Sequence, residues 1–400
     1  MTKEAKILAV ILISFSLVFG RVFYVITLLL FVYLLLYGLS MKNGTVVLKT
    51  DVDTHTIKQY DYVNFLYDLK MKFTLPMVCF ITLDSPYYFV PAEGEREKRI
   101  FASSGRITGK IRYVGNRRGV YDVGSFALHI NDPLGFFKRK INVYDKKRVY
   151  VFPFVVPFDK LNIYLSEPLS GIKAKYQINS DYTSIAGVRD YIQGDPLSVI
   201  HWKQTAHRNK LTVKELDFTA SKRILIVLNL YKKNLQFQDS AAAIAASIAN
   251  YSISRHLPVG LIVNGTPPED LPLGENSFHL MKLFKLLALA SDEDAVSIEK
   301  FLRTLSSKLP FGVEVFFIDK DITRDTMLSL MRIKPFVSRL NIVLLPDSTF
   351  VLPHEKPPRY YFKEDYYLTV LGYSKEALAK EGIFVYPILG KDYASKLEKV

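Results

Sequence analysis

The chain begins with a long apolar stretch that is interrupted by a single charge, Arg21. One helix through the whole stretch would run roughly 50 Å at about 1.5 Å per residue, whereas the hydrocarbon core of a bilayer is about 30 Å thick. Glycine tolerates a tight turn, and a turn at Gly20 gives two spans, Ile7–Phe19 and Val22–Leu39. The pattern therefore predicts a transmembrane helical hairpin within residues 1–44.

Positive charge flanks the hairpin at both ends, with Lys3 and Lys6 before it and Lys42 and Lys49 after it. Because lysine and arginine favour the cytoplasmic side, this predicts a two-span protein of the cell membrane with its soluble domains facing the cytoplasm. Two alternatives stay open. A signal peptide cleaved after Gly20 fits the small-residue rule, and one tilted span would place the soluble part outside.

Polar and apolar residues alternate over residues 45–154. The alternation is visible in TVVLKTDV, RITGKIRYV and GSFALHI, and turn residues interrupt it at GNRRG and NDPLG. Short alternating strands separated by turns are typical of antiparallel sheets with one buried face. We therefore expect an all-β, immunoglobulin-like sandwich here.

The pattern changes after a connecting region, residues 155–220, which is rich in tyrosine and serine and weakly periodic. From residue 221 to 400 continuous apolar runs alternate with helical stretches; the runs are RILIVLNL, PVGLIVN, VEVFFID, LNIVLLP and IFVYPIL. Continuous apolar runs indicate strands buried on both faces. The alternation predicts an α/β domain with a doubly wound parallel sheet.

Charge is concentrated in one part of the chain. The formal net charge is +14, and Glu97–Arg148 holds thirteen basic residues against four acidic ones, a net +9. For a tethered protein the nearest anion is the headgroup layer of the membrane. Nucleic acid is the competing partner, but no RNA- or DNA-binding motif is present, so we expect none. A solvated face of alternating strands explains the charge equally well.

Cysteine chemistry is limited to Cys79, the only cysteine, which lies in the apolar run MVCFI. One cysteine excludes a disulfide framework and a paired-cysteine metal site. An apolar setting predicts a buried, inert thiol. With 49% hydrophobic residues the chain is not wholly disordered.

The common sequence motifs of enzymes are absent or incomplete in this chain. SGRITGKI (Ser104–Ile111) is one residue short of a phosphate-binding loop and lies among strands, and no GxGxxG, HExxH or GxSxG is present. Asp195, His201 and His207 form the one concentrated candidate for acid–base chemistry or metal binding. The histidine spacing does not suit a helical metal site, and no nucleophile is paired with them. We therefore predict no catalytic residue, metal, cofactor or small-molecule substrate.

Two stretches resemble a known family. The first is RRGVYDVGSFALHINDPLGFFKRK (Arg117–Lys140) with YVFP (Tyr150–Pro153), and the second is GVRDYIQGDPLSVIHWKQTAHRNKLTVKEL (Gly187–Leu216). In order and spacing they resemble the bacterial and archaeal proteins grouped as domain of unknown function 58. The residues that match its signature are Tyr191, Gly194, Asp195, Trp202, Lys203, Lys214 and Glu215.

The resemblance implies a C-terminal domain similar to von Willebrand factor type A, here called the type A-like domain. It also implies association with AAA+ ATPases of the MoxR type, in the assembly of client proteins or the insertion of metal into them. Three positions depart from the family pattern, Ser198, His201 and His207, where charged residues are usual. Charge-pair roles at those positions do not transfer.

A type A domain holds a divalent ion through Asp-x-Ser-x-Ser after its first strand, and oxygen ligands of this kind suit Mg²⁺. Here the loop reads Asn229-Leu230-Tyr231-Lys232-Lys233, in which the carboxylate and both serines are missing and two lysines add repulsion. Asp319, after a later strand, is a possible ligand but is not a site by itself. The sequence predicts that metal-dependent adhesion is absent.

Three functions follow as hypotheses. The first is a non-enzymatic, membrane-tethered scaffold whose partners are the bilayer, an AAA+ ATPase and client proteins. The second is an enzyme that uses Asp195, His201 and His207, and the third is an extracytoplasmic adhesion or envelope protein. Within the signature we expect Trp202, the only tryptophan, to bury its ring between the two soluble domains as a structural clamp.

Overall fold

The computed structural model describes residues 7, 10, 11, 14, 21–84, 86–92, 97–157, 185–192, 200–216, 223–345 and 374–388. The chain forms two compact units. The first contains the residues up to Phe154 together with Phe284–Leu289, and the second contains the remaining residues from Val155 onward.

One long apolar helix, α1 (Arg21–Asn43), directly precedes the β part of the first unit. Within it, Tyr24–Asn43 reaches a mean hydropathy of 2.1 over eighteen residues, and only 6% of that window is buried. Among the described residues this is the one helix long and apolar enough to cross a membrane. Residues 7, 10, 11 and 14 are also helical. Gly20, where we predicted the hairpin turn, lies outside the described residues, so the two-span count stays a prediction.

The C-terminal half of α1 is fixed to the β part of the first unit. Ser40 is 2% exposed, and its hydroxyl accepts a hydrogen bond from the backbone N–H of Leu75 at 3.1 Å. Met41 packs into the hydrophobic core, and Tyr37 lies against its edge. Near the middle of α1, the hydroxyl of Tyr33 donates to the Asp132 carboxylate at 2.6 Å. The helix is therefore docked along one face as far as Tyr33.

The β part of the first unit is a seven-stranded mixed sheet. Its strands are β1 (Thr45–Val52), β2 (Thr56–Lys58), β3 (Tyr62–Asp84), β4 (Phe89–Pro91), β5 (Glu97–Gly115), β6 (Gly119–Asn131) and β7 (Lys138–Phe152). The order is β2-β7-β6-β3-β5-β4, with β1 beside β3. All pairs are antiparallel except β2 with β7. The predicted β region is present, whereas the immunoglobulin-like sandwich arrangement stays a prediction.

β3 organises this sheet because it pairs on both edges. Its first half lies beside β1, its second half lies beside β6, and β5 follows its other edge. Cys79, in the second half, is fully buried in the core, and burial raises the pKa of its thiol to about 11. The prediction of a buried thiol is confirmed, and at neutral pH this thiol stays protonated.

The second unit begins with a small motif that we call the signature motif: β8 (Ile185–Asp190), the short helix α2 (Trp202–Arg208) and β9 (Thr212–Leu216). β8 and β9 pair antiparallel. Residues 155–220 were predicted only as a connecting region, and the sequence pattern did not indicate these two strands. Asn209 ends α2 in the left-handed conformation, with φ 51°.

The rest of the second unit is a six-stranded α/β sheet. Its strands are β10 (Ile224–Asn229), β11 (Val259–Asn264), β12 (Leu271–Gly274), β13 (Val313–Asp319), β14 (Val337–Leu344) and β15 (Ile383–Pro387). The order is β12-β11-β10-β13-β14-β15, parallel throughout except that β12 runs antiparallel at one edge. The predicted parallel sheet is therefore present, with an edge strand that the pattern did not indicate.

Helices follow the strands of this sheet in alternation. They are α3 (Leu235–Ser254), α4 (Ser277–Leu289), α5 (Ile298–Lys308), α6 (Arg324–Ile333), the 3₁₀ turn Lys334–Phe336 and α7 (Lys375–Lys380). Side chains from α5, α6 and α7 join alternate residues of β10, β13, β14 and β15 in one core. α3 lies against β10, β11 and β13, and fourteen of its twenty residues are buried, six of them alanines. Alanine allows this close approach of helix to sheet.

Candidate functional site

Buried polar side chains gather at the carboxyl ends of three parallel strands. Asn229 ends β10, Asn264 ends β11 and Asp319 ends β13, and each is at most 3% exposed. β10 separates β11, which the chain builds next, from β13, which it builds later on the other side. Ligand sites of open α/β sheets lie at such a reversal of strand order. These three residues, with Lys233, form what we call the strand-end cluster.

The amides and the carboxylate of the cluster are joined in a chain of hydrogen bonds. Asn229 Nδ2 donates to Asp319 Oδ2 at 2.6 Å, and Asn264 Nδ2 donates to Asn229 Oδ1 at 2.8 Å. Asn264 also binds the backbone of Val296, donating to its carbonyl at 2.8 Å and accepting from its N–H at 3.0 Å. These bonds give the buried polar groups the partners that they need away from water.

Lys233 supplies the positive charge of the cluster. Its Nζ lies 2.7 Å from Asp319 Oδ1 and 3.4 Å from Asp321 Oδ1. The side chains of Lys233 and Asp319 are 12% and 3% exposed, so their ion pair is almost fully shielded from water. The loop is fixed on the other side by Gln238, whose Nε2 donates to the carbonyl of Lys233 at 2.9 Å. The ammonium is thus held against the carboxylate.

The electrostatics of Asp319 reflect two opposing effects. Burial raises the pKa of its carboxyl, whereas the Lys233 ammonium and the hydrogen bonds from Asn229 and the Lys320 backbone lower it. The raising effect is the larger, because desolvation penalises the charged form strongly. The Lys233 ammonium, 2.7 Å from Asp319 Oδ1, offsets part of this desolvation cost.

From the sequence, both lysines of this loop were expected only to repel a metal ion. The pairing of Lys233 with Asp319, which lies far along the chain, was not predicted. The exposed neighbour Lys232 instead places its ammonium 5.2 Å from the ring centre of Tyr231. One indication of this ion pair was present in the sequence: a carboxylate, Asp319, and a lysine, Lys233, lie at or just after the ends of two strands that are neighbours in the sheet.

Metal binding by the cluster is expected to be absent. The Lys233 ammonium lies where a cation would contact Asp319, and its charge repels a second cation. In the described part of the chain, no three or more histidine, cysteine or acidic side chains are grouped so that they could hold a metal. Titration of the full chain in detergent with Mg²⁺ or Mn²⁺ by calorimetry should show no binding below millimolar concentration. A micromolar dissociation constant would contradict this interpretation.

Of the family signature, Trp202, Lys203, Lys214 and Glu215 lie in the signature motif, and Tyr191 follows β8 directly. The backbone N–H of Tyr191 donates to the Leu211 carbonyl at 2.9 Å. Lys214 and Glu215 are in β9, opposite Val188 and Gly187 of β8. Gly194 and Asp195 lie outside the described residues. The structure therefore brings together the two ends of the signature through the pairing of β8 and β9.

Trp202 is the first residue of α2, and its side chain is 67% exposed. The prediction that its ring is buried as a clamp between domains is wrong. Trp202 directly follows His201, the N-cap of α2. The contact of α2 with β9 is made instead by Thr205, whose hydroxyl donates to the carbonyl of Thr212. Lys203, next along the helix, is also exposed.

The two histidines of the acid–base candidate have different surroundings. His201 is the N-cap of α2, and its Nδ1 accepts the backbone N–H of Gln204 at 3.2 Å. That nitrogen therefore has no proton to give while the cap is formed. His207 is exposed near the other end of the helix. Because Asp195 lies outside the described residues, the three-residue constellation is not tested by the structure.

Part of the basic charge of the first unit is paired across strands. Arg106 binds Asp68 through two nitrogens, at 2.9 Å and 3.0 Å, and this lowers the pKa of the Asp68 carboxyl. Arg148 pairs with Asp122 at 3.5 Å. All of these side chains except Asp68 are more than half exposed, so the pairs lie on a solvated face.

Comparison with known families gives a match for residues that lie mostly in the second unit. Residues 187–333 match the family model described as Protein of unknown function DUF58. The resemblance is confirmed over these residues. They contain the second signature stretch, the strand-end cluster and the helices α2 to α6, whereas Arg117–Lys140 lies outside the match.

A curated relative is the uncharacterized protein YeaD of Bacillus subtilis (strain 168), which is 24% identical over 188 residues. The match covers 46% of this chain and 46% of YeaD, so it extends over less than half of either protein.

Solved structures show only distant likeness. The cupredoxin domain of amoB from Nitrosocaldus yellowstonii and a PapD-like domain of human CEP192 are each 10% identical and each cover 26% of this chain. The matches cover 86% and 84% of those chains, and both have a TM-score of 0.20. A score this low carries no argument about fold or function.

Proposed function

We propose that the chain is a non-enzymatic, membrane-tethered scaffold that presents a type A-like α/β domain to partner proteins. The observation that carries this proposal is the Lys233–Asp319 ion pair at the switch point of the sheet. The strand-end cluster keeps its polar side chains together, and the Lys233 ammonium occupies the position that a bound cation would take beside Asp319. A domain that binds its partners without a metal ion can contain such a site. A domain that adheres through a bound metal ion cannot, because the ammonium replaces that ion.

The type A-like assignment is supported by the order of the strands. A central β10, parallel neighbours on both sides and an antiparallel β12 at the edge fit that domain class. Helices on both faces of the sheet agree with it. The immunoglobulin-like assignment of the first unit is supported by its antiparallel pairing and by alternating burial along β6.

Membrane tethering is supported by α1, whose outward residues are leucine, valine and phenylalanine and largely exposed. Exposed apolar helices of this length are costly in water and stable in lipid. We infer that α1 anchors the β domain to the cell membrane.

The orientation of the chain in the membrane is part of the proposal. Lysines on both flanks of the apolar stretch predict that the soluble part faces the cytoplasm. A reporter enzyme that functions only in the cytoplasm should be active when it is fused after Val400. A reporter that functions only outside the cytoplasm should be inactive at the same position. Activity of a periplasmic-type reporter at the same position would instead support the envelope hypothesis.

The partner surface is proposed to lie on the signature motif. Ile192, Trp202 and Leu211 are 65%, 67% and 47% exposed, and we call them the Trp202 surface. Backbone bonds bring them together: Tyr191 donates to Leu211, and His201 donates to Thr212 at 2.8 Å. Exposed tryptophans with neighbouring apolar residues are frequent binding hot spots. Exposed Lys203 and Lys210 favour a partner with acidic residues around an apolar pocket.

The family resemblance suggests an AAA+ ATPase of the MoxR type as that partner. Trp202→Ala should weaken the affinity for this partner in co-purification from native membranes about thirtyfold or more, because hot-spot truncations cost at least about 2 kcal/mol. The melting temperature should stay unchanged, since the indole is 67% exposed. Phe278→Ala, which removes an 80% exposed ring elsewhere in the second unit, is the matched control and should retain binding. A Trp202→Ala variant that still binds the ATPase, or that melts at lower temperature, would contradict the proposed surface.

A further inference from the structure

The β6–β7 turn is built around a buried carboxylate that also contacts α1. We call Asp132–Phe137 the helix-facing turn. Asp132 is 1% exposed, and its carboxylate accepts hydrogen bonds from the backbone N–H groups of Leu134 and Phe137 and from the Tyr33 hydroxyl. Gly135 closes the turn with φ +75° and donates its N–H to the Asp132 carbonyl at 3.0 Å. The one charge of the turn is therefore enclosed by donors.

The outer surface of the turn is apolar. Pro133 and Leu134 are exposed, and Leu134 is 61% exposed. Phe136 meets the Tyr33 ring edge-on, with ring centres 6.0 Å apart. In most surface turns the polar side chains face water. In this turn the carboxylate is buried and a leucine is exposed instead.

The position of the turn along α1 fixes its depth. Beyond Tyr33 the outer face of α1 is still apolar and exposed, with Leu35 at 51%, Leu36 at 48% and Leu39 at 51%. Leu39 is about 9 Å past Tyr33, at about 1.5 Å per residue along the helix. If α1 crosses a bilayer, lipid should reach Leu39, and a turn bound at Tyr33 then lies below the lipid surface.

Positive charge lies at the end of the helix where headgroups are expected. Lys138, Arg139 and Lys140 follow the turn and are exposed. Arg139 also donates from Nη1 to the carbonyl of Gly44, directly after the last residue of α1, at 3.1 Å. Basic side chains at this level match the phosphates of anionic lipids.

We propose that the helix-facing turn is a second membrane contact, in which Leu134 and Phe136 enter the lipid interface beside α1 and the following basic residues bind anionic headgroups. The proposal rests on membrane anchoring by α1, which is part of the proposed function. Tyrosine and phenylalanine at this level fit the aromatic belt of a membrane interface. The closed hydrogen bonds of Asp132 allow the turn to leave water without an unpaired polar group.

The test is depth-dependent fluorescence quenching of the full chain in vesicles of phosphatidylcholine and phosphatidylglycerol. Three variants, Leu134→Cys, Leu39→Cys and Tyr87→Cys, each carry an environment-sensitive dye on the introduced cysteine. Labelling of the unsubstituted chain measures how much dye reacts with the buried Cys79. Tyr87 is 91% exposed and follows the end of β3 that pairs with Ser125, opposite to the helix-facing turn. Leu39 reports on the anchor, and Tyr87 is the solvent control.

Lipids with a quencher on the acyl chain should reduce emission from positions 134 and 39 to a comparable extent and leave position 87 unchanged. Quenching at position 39 without quenching at position 134 overturns the second contact and leaves the anchor intact. A lack of quenching at both positions overturns the anchor and, with it, the proposal built on it.

Discussion

Lys233→Met is expected to destabilise the second unit by about 3–5 kcal/mol at neutral pH, because it leaves the buried Asp319 carboxylate without its counter-ion. Asn229 and the Lys320 backbone continue to donate to that carboxylate, at 2.6 Å and 2.7 Å, but neither carries a positive charge. The free energy of unfolding is to be measured by urea denaturation of the full chain in detergent.

The pH dependence follows from the direction of the Asp319 shift. Its pKa is raised in the folded protein, so the folded state holds the proton more tightly than the unfolded chain. A group of this kind stabilises the fold most at low pH, and that stability is lost as pH rises through the folded pKa. Without the ammonium the pKa should rise further. The destabilisation by Lys233→Met should therefore be small near about pH 4 and grow toward about pH 8.

Lys232→Met is the matched control, since it removes the same charge from the adjacent, exposed position. It should change stability by less than about 0.5 kcal/mol at any of these pH values. Equal effects of the two substitutions would mean that net charge, and not the ion pair with Asp319, is responsible.

Phe317→Ala should cost about 3–5 kcal/mol through the loss of a fully buried ring and the cavity left behind. Phe317 is 0% exposed in β13, at the centre of the sheet, opposite Val227 on one side and Ile342 on the other. Neighbouring strands held by backbone ladders on both sides cannot collapse readily into the space.

The comparison for Phe317→Ala is Phe278→Ala, whose ring is 80% exposed and whose loss should be nearly neutral in the same urea titration. A loss below about 1 kcal/mol for Phe317→Ala would show that the core around β13 repacks, contrary to its close contacts with α5 and α6.

The sequence predicts the α/β sheet well because its strands are buried on both faces. All six residues of β10 and of β11 are buried, and such continuous apolar runs are short and unambiguous. The strands β8 and β9 were missed because five or six residues in a polar, weakly periodic region carry little signal of their own. Their pairing is decided by contacts between distant residues, which a local pattern does not contain.

The candidate site shows the same limit. Asn229 and Asp319 were singled out through the family resemblance, which implies a metal site at these strand ends, and the parallel strands do end at one edge of the sheet. The Lys233 contact depends on how the loop after β10 folds, and Gln238 of α3 helps to fix that loop. The ring of Trp202 was expected to be buried because of its residue type, whereas at the first position of α2 it is 67% exposed.

A single residue, Gly44, separates the end of α1 from the start of β1. It cannot be replaced or lengthened easily, since a Cβ there would lie 2.1 Å from the Phe73 ring. A flexible tether of n residues gives a reach of about 5–6 Å × √n, so this junction gives almost none. Once α1 is in a bilayer, the β domain cannot search the solution for a partner. Encounters then depend on lateral diffusion and on rotation about the membrane normal, and a partner that itself concentrates at the membrane gains the most.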